Sequence, residues 1–186
     1  PRPLRLDDGL IAFVGEDGNI HAADIWGADT LVTTDAGTTE TGLRTYAYPA
    51  WSPDGRELAF VRVDAKPDGT AESLLAAYDY TGRMLNSFFS SSGELPFYLY
   101  WSPDGGRIGF LSSEGQGMNF RIAGRDGGGR VAGTGSPIYW DWSPDGRSLV
   151  THEGNPAGRG GSRLRAVSAA DSGEAVEDRK STRLNS

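Results

Sequence analysis

Brief apolar or aromatic runs alternate along this chain with polar clusters rich in Gly, Asp, Ser and Pro. Runs such as LIAFV (10–14), LAFVRV (58–63), IGFLS (108–112) and SLVTH (148–152) are too short for helices and rich in β-branched and aromatic side chains. That combination predicts strands. Aromatic runs YAYPAW (46–51), PFYLYW (96–101) and PIYWDW (137–142) precede three of them. Each aromatic run thus pairs with the apolar run after it as a hairpin, strand A to strand B. A second hairpin, strands C and D, follows. Residues 74–80 and 84–89 flank Thr81-Gly82, residues 120–123 and 130–132 flank 126–129, and 164–167 precede 171–173. No segment shows a convincing helical period.

The A–B turn is one word written three times. WSPDG occupies residues 51–55, 101–105 and 142–146, at spacings of 50 and 41 residues. Self-similarity at a period of ~40–50 residues is the signature of propeller blades. The word is a turn with a mechanism at each position. Pro53, Pro103 and Pro144 preset φ for the second residue of a type I turn. Ser together with Asp54, Asp104 and Asp145 can cap backbone N–H groups, and Gly55, Gly105 and Gly146 accept the left-handed conformation. Trp51, Trp101 and Trp142 anchor the start of each turn. The expected fold is therefore all-β: a partial β-propeller of four-stranded antiparallel blades, with repeats near 10–35, 46–90, 96–133 and 137–177. The first and last repeats are expected to be incomplete. The first supplies B (10–14), C (19–25) and D (31–34) strands without WSPDG, either by truncation or because it borrows an A strand from elsewhere in the chain.

Composition sharpens this picture. Of 186 residues, 27 are Gly and 10 Pro, and 10% are aromatic, which suits turn-dense β structure rather than disorder. The formal charge is −7, with no basic stripe interleaved with aromatics, so nucleic acid is not an expected partner. Cysteine is absent, which excludes disulfides and thiolate metal sites. No apolar run approaches the ~20 residues that cross a bilayer, and no basic-then-apolar leader opens the chain at Pro1. Residues 178–186 (DRKSTRLNS) turn basic after an acidic stretch. Back-translated, they resemble a sequencing-library adapter, while the remainder holds one lysine, Lys66, against fourteen arginines. They are expected to be a non-native tail on a propeller fragment.

A repeat built as aromatic-Ser-Pro-Asp-Gly, an Ile/Leu-Ala-Phe strand and a short Asp/Gly turn resembles the WD-like propeller repeats of TolB proteins. It is also similar to the propeller domains that precede serine hydrolase domains in prolyl oligopeptidase-like and tricorn-like proteins. The resemblance spans nearly all of residues 10–175. It implies either a non-catalytic scaffold for a protein or peptide partner, with extracytoplasmic localisation in a bacterium, or an accessory domain of a hydrolase whose catalytic part lies elsewhere.

The chemical inventory within these residues is thin, and neither a cofactor nor a metal is expected. His21 and His152 are isolated in sequence, there is no G-x-S-x-G elbow, and no phosphate-binding glycine loop occurs. Asp54, Asp104 and Asp145 recur singly, one blade apart, which fits turn capping better than a calcium cluster. Tyr48, Tyr98 and Tyr139 recur three residues before each repeat tryptophan. Packing between blades is the expectation for them, and a ligand in the central channel is the alternative. The B–C loops vary freely in length and chemistry, which marks them as the recognition surface. Their candidate contact residues are Lys66, Asp68, Glu114, Gln116, Asn155 and Arg159. Unpaired blade edges would favour oligomers.

Overall fold

The computed structural model describes residues 9–114, 117–154, 162–170 and 175–179. All regular structure in these residues is β, in four antiparallel sheets. The first holds β1 (Ile11–Val14), β2 (Ile20–Ala23) and β3 (Asp29–Leu31), in that order. The second holds β4 (Gly37–Thr39), β5 (Gly42–Trp51), β6 (Leu58–Ala65), β7 (Ala71–Tyr78) and β8 (Met84–Ser91). The third holds β9 (Leu95–Trp101), β10 (Arg107–Glu114), β11 (Gly117–Gly124) and β12 (Gly129–Thr134). The fourth holds β13 (Ile138–Trp142), β14 (Ser148–Glu153), β15 (Arg163–Ser168) and β16 (Ala175–Arg179).

Three sheets thus carry all four A–D strands, where the sequence suggested an incomplete last repeat. The fourth sheet is completed by β16, which pairs with β15 through Asp178 and Arg179, two residues into the segment read as a tail. The second sheet also has a strand not foreseen, β4. It forms a tight hairpin with β5 at Thr39–Gly42, where Gly42 (φ 149) lies so close to the Ala65 carbonyl that no Cβ could fit.

The three WSPDG turns have one construction. Gly55, Gly105 and Gly146 have φ of 67–69° and donate N–H to the carbonyls of Ser52, Ser102 and Ser143 at 2.8–2.9 Å. Each serine hydroxyl donates to the aspartate two residues on and accepts the N–H five residues on. That aspartate in turn accepts the N–H of Arg56, Gly106 or Arg147. The serine and aspartate side chains of the turn and its glycine N–H are matched locally, which lets it sit beside a buried strand end.

Three apolar layers fill the spaces between successive sheets. Ile20, Ala22 and Val32 of the first sheet side meet Tyr46, Leu58 and Phe60. Val61, Leu75, Phe88 and Phe89 meet Leu99, Ile108 and Phe110. Leu111, Phe120 and Ile122 meet Ile138, Leu149 and Val167. The B strands are consequently covered on both faces: Leu58, Ala59, Phe60 and Val61 are all buried, which explains their unbroken apolar run. The repeat tryptophans lean back onto the preceding sheet. Trp101 Nε1 donates to the Ala50 carbonyl at 3.0 Å, and Trp142 packs against Gly109.

Candidate binding site

The A strands β9 and β13 are terminal in their sheets, and the space between them is an open cleft of about 400 Å³. Its construction begins with a bulge. Tyr100 faces Gly109 and Phe97 faces Leu111, so Tyr98 and Leu99 together stand opposite Phe110. The second sheet repeats the defect, with Tyr48 and Pro49 opposite Phe60. Tyr98 (φ 55) and Tyr48 (φ 57) are the bulged residues, in the left-handed region. For a bulky side chain that conformation costs roughly 1–3 kcal/mol, and such strain concentrates at binding and catalytic sites. β13 has no bulge, because its pairing with β14 runs uninterrupted from Ile138 to Trp142.

Packing between blades does not account for the recurrent tyrosines. Tyr98 and Tyr139 are 52% and 57% exposed, as is Tyr48 at 46% on the internal strand β5; Tyr98, Tyr139 and the 50% exposed Tyr100 line the space between β9 and β13. They wall the cleft with Trp140. Tyr98 and Tyr100 lie 5.6 Å apart at 85°, Tyr100 and Trp140 5.6 Å at 69°, and Tyr98 and Trp140 6.4 Å at 79°. These are edge-to-face contacts, so the rings enclose the space from several directions rather than forming one flat wall. Tyr139 is backed by its cross-strand partner His152, stacked at 6.2 Å.

Gly109 makes room for this arrangement. A Cβ there would lie 2.8 Å from Trp140 Nε1, 3.2 Å from Phe120 and 3.3 Å from Trp142. Asp141 is the one charged residue lining the cleft, is exposed, and has no hydrogen bond or ion pair among the described residues. The Tyr98 hydroxyl, with some help from burial, raises the Tyr100 phenol above its ordinary range. Aromatic faces beside one free carboxylate suit a cation or an extended polar chain. The signal legible in sequence was the Tyr recurrence. The missed elements were Trp140 and Gly109, which depart from Pro49, Leu99, Ala59 and Val150 at the matching repeat positions.

Lys66 and Asp68, singled out from sequence, lie at the other end of the strands, in the turn between β6 and β7. Lys66 pairs with Glu72 at 2.6 Å, and Asp68 accepts the Thr70 N–H and hydroxyl at 2.9 and 2.6 Å, so both belong to one closed turn. Glu114 ends β10, and its side chain lies outside the described residues, as do Gln116, Asn155 and Arg159. At that end, acid–arginine clamps escaped the sequence reading. Glu94 binds Arg121 and Ser112, and buried Glu153 binds Arg163 and Arg165. Burial opposes ionisation of Glu94, but Arg121 and Ser112 outweigh it and hold its carboxyl below the ordinary range.

His21 is not isolated either. Its ring nitrogens bond Asp17 and Asp29, each at 3.0 Å, and these contacts outweigh burial and raise its pKa. Among the described residues neither histidine hydrogen-bonds a hydroxyl, so no serine–imidazole pair is assembled.

No protein-family model matches the sequence, and no curated protein sequence matches it. Solved structures share its fold. TolB from Acinetobacter baumannii aligns over 91% of this chain and 40% of its own, at 19% identity and TM-score 0.56. Puromycin hydrolase aligns over 90% of this chain and 28% of its own, at 20% identity and TM-score 0.62. A eukaryotic initiation factor aligns over 92% and 43%, at 14% identity and TM-score 0.52. The chain therefore spans well under half of each of these proteins. The likeness is one of fold: sheets of a β-propeller, as found in TolB and in puromycin hydrolase.

Proposed function

We propose that this chain is a non-catalytic propeller scaffold that binds a protein or peptide partner, and that the cleft between β9 and β13 is its contact surface. The observation that carries the reading is the strained bulge at Tyr98, which holds an aromatic side chain in a solvent-facing cleft with an unpaired carboxylate. Exposed tyrosines of this kind supply large contact area at low entropic cost, a common property of protein-binding surfaces. Lys66 and Asp68 offer a rival contact surface at the opposite end, and Glu114, Gln116, Asn155 and Arg159 complete that rival set of B–C loop candidates. Extracytoplasmic placement belongs to the same reading and rests on the TolB-like repeat pattern.

The puromycin hydrolase likeness favours a second reading, an accessory propeller that positions substrate for a serine hydrolase domain. Fold alone does not separate the two. Peptide-library panning against the chain, followed by calorimetric titration of the selected peptides, tests the first. Loss of binding in Tyr139→Ala, with Lys66→Ala and Asp68→Ala unchanged, is the expected result, and the reverse moves the contact surface to the loops. A gene sequence that continues into a G-x-S-x-G motif with downstream Asp and His would replace the scaffold reading with the hydrolase one.

A further inference from the structure

We infer that the cleft between β9 and β13 recognises an arginine side chain on an extended peptide, with the guanidinium laid against the exposed aromatic cluster of Tyr98, Tyr100 and Trp140 and paired with Asp141. The inference rests on the scaffold reading and specifies its ligand.

The chemistry of the walls selects a cation. Three aromatic rings packed edge-to-face, with centroids 5.6–6.4 Å apart, line the cleft as one cluster, and the π-faces it leaves open attract positive charge. Asp141 stands on the same cleft with no partner among the described residues. An apolar side chain entering here would strip water from that carboxylate and return nothing. An anion would meet the carboxylate, no basic side chain in the lining, and a chain of net charge −7. Among cations, guanidinium is planar and weakly hydrated. It stacks on a ring while its N–H edge binds a carboxylate in the fork geometry that an ammonium lacks.

The strands select a peptide over a free small molecule. β9 and β13 each end their sheet, so each keeps one row of main-chain N–H and C=O groups outside the ladder. The bulge at Tyr98 and Leu99 further interrupts pairing of β9. An extended segment can use those groups while it lowers one side chain into the cleft, as strand-addition ligands do.

Trp101, Trp140 and Trp142 border the site, so indole fluorescence reports occupancy. The chain is titrated with a blocked Gly-Gly-Arg-Gly-Gly peptide, with the same peptide carrying citrulline for arginine, and with N-acetyl-arginine amide. Saturable quenching by the arginine peptide is expected, with the citrulline peptide about tenfold weaker or more, because the charged contact is lost. Asp141→Asn should weaken the arginine peptide to a similar degree. Tyr98→Phe should keep binding and Tyr98→Leu should lose it, with melting midpoints confirming that each variant folds. Equal binding of the citrulline peptide overturns the cation site while leaving a peptide scaffold standing. Equal binding of N-acetyl-arginine amide overturns the peptide source. Silence from all three probes overturns the inference, and the scaffold reading is then decided separately by the library peptides.

Discussion

The second and third sheets meet in an interface sealed up to the repeat tryptophan, and the third and fourth, packed farther along, leave an open cleft between their A strands, although the same repeat word builds both. In the sealed interface Trp101 is 8% exposed, sits edge-on to Phe88 at 5.3 Å, and satisfies its N–H on the Ala50 carbonyl. The Arg125 guanidinium caps both rings at 5.7–5.8 Å and ties Glu57 of the second sheet to the Gly105 carbonyl of the third. In the open interface Trp142 occupies the matching position, but its buried N–H and that of Trp140 find no partner among the described residues, as is also true of Trp51 on the second sheet. The difference traces to two positions before the tryptophan. Pro49 and Ala50 on the second sheet leave a surface that Trp101 can cover, whereas Tyr100 on the third meets Trp140 beside Asp141 on the fourth. One repeat therefore makes two products: the turn word fixes the scaffold, and the residues just ahead of it decide whether the seam is closed or becomes a cleft.

The strongest way to break this contrast is to remove the indoles one at a time. Trp101→Ala deletes a buried ring and leaves the Ala50 carbonyl without its donor, a loss of about 3–5 kcal/mol. Trp142→Ala removes a ring that is only partly buried and makes no hydrogen bond, so it should cost distinctly less. Urea unfolding followed by circular dichroism gives both values. Equal losses would mean that the two seams are energetically alike and that the contrast is one of shape only.

Next in size is the space at Gly109. Ala59 fills the matching position in the second sheet, yet an alanine at Gly109 would press on Trp140 and Phe120. Gly109→Ala should cost about 1–3 kcal/mol by overpacking, and it should weaken cleft ligands by displacing Trp140. Adding Trp140→Leu should recover most of that stability, a non-additive pair expected of residues in contact. Additive costs would show that Gly109 serves the backbone instead.

How much of this was legible in the sequence varies by element. The WSPDG turns needed no tertiary information, because Ser, Pro, Asp and Gly satisfy one another within six residues. The B strands were legible for a similar reason, since an unbroken apolar run already says that both faces are covered. Strand β4 was not, because Gly37–Thr39 is polar and is held by pairing with β5 alone. The tyrosine cleft was half legible. Recurrence picked out Tyr48, Tyr98 and Tyr139, but the cleft depends on a bulge in β9 and on the terminal place of β9 and β13. Alternation along one strand contains neither fact. The acid–arginine clamps join residues as far apart as Glu94 and Arg121, and no local pattern announces them.

A smaller effect separates the turn serines. Ser102 is fully buried and Ser143 is only half buried, although both accept an N–H five residues ahead, at 2.9 and 3.0 Å. Ser102→Ala leaves the Arg107 N–H without its partner in a dry site and should cost about 1–3 kcal/mol. After Ser143→Ala, water can reach the Ser148 N–H, and the loss should stay near about 1 kcal/mol. Thermal melts of the two variants distinguish them. A larger loss at Ser143 would place the dry seam on the wrong side of the third sheet.

The finest test uses pH, because each seam carries a titrating group of opposite consequence. Arg121 lies over Phe89 at the sealed seam and holds Glu94 below the ordinary carboxyl value of 4.5 in the folded state. A depressed folded pKa means that the unfolded chain binds the proton more readily. The contribution is present above 4.5 and is lost as pH falls through the lower folded value. At the open seam the Tyr98 hydroxyl raises Tyr100 above 10.0, so the folded chain holds that proton more tightly. Its contribution is present below pH 10 and is lost as pH rises through the higher folded value. Glu94→Gln should therefore flatten the acid limb of a melting-temperature profile while leaving the alkaline limb alone. Tyr98→Phe should flatten the alkaline limb and leave the acid limb alone, by a small margin, since half-exposed phenols are well screened. The ultraviolet titration of phenolate absorbance supplies an independent reading at the cleft. In Tyr98→Phe the remaining Tyr100 should ionise at lower pH than in the parent chain, and an unchanged curve would show that the two hydroxyls do not interact.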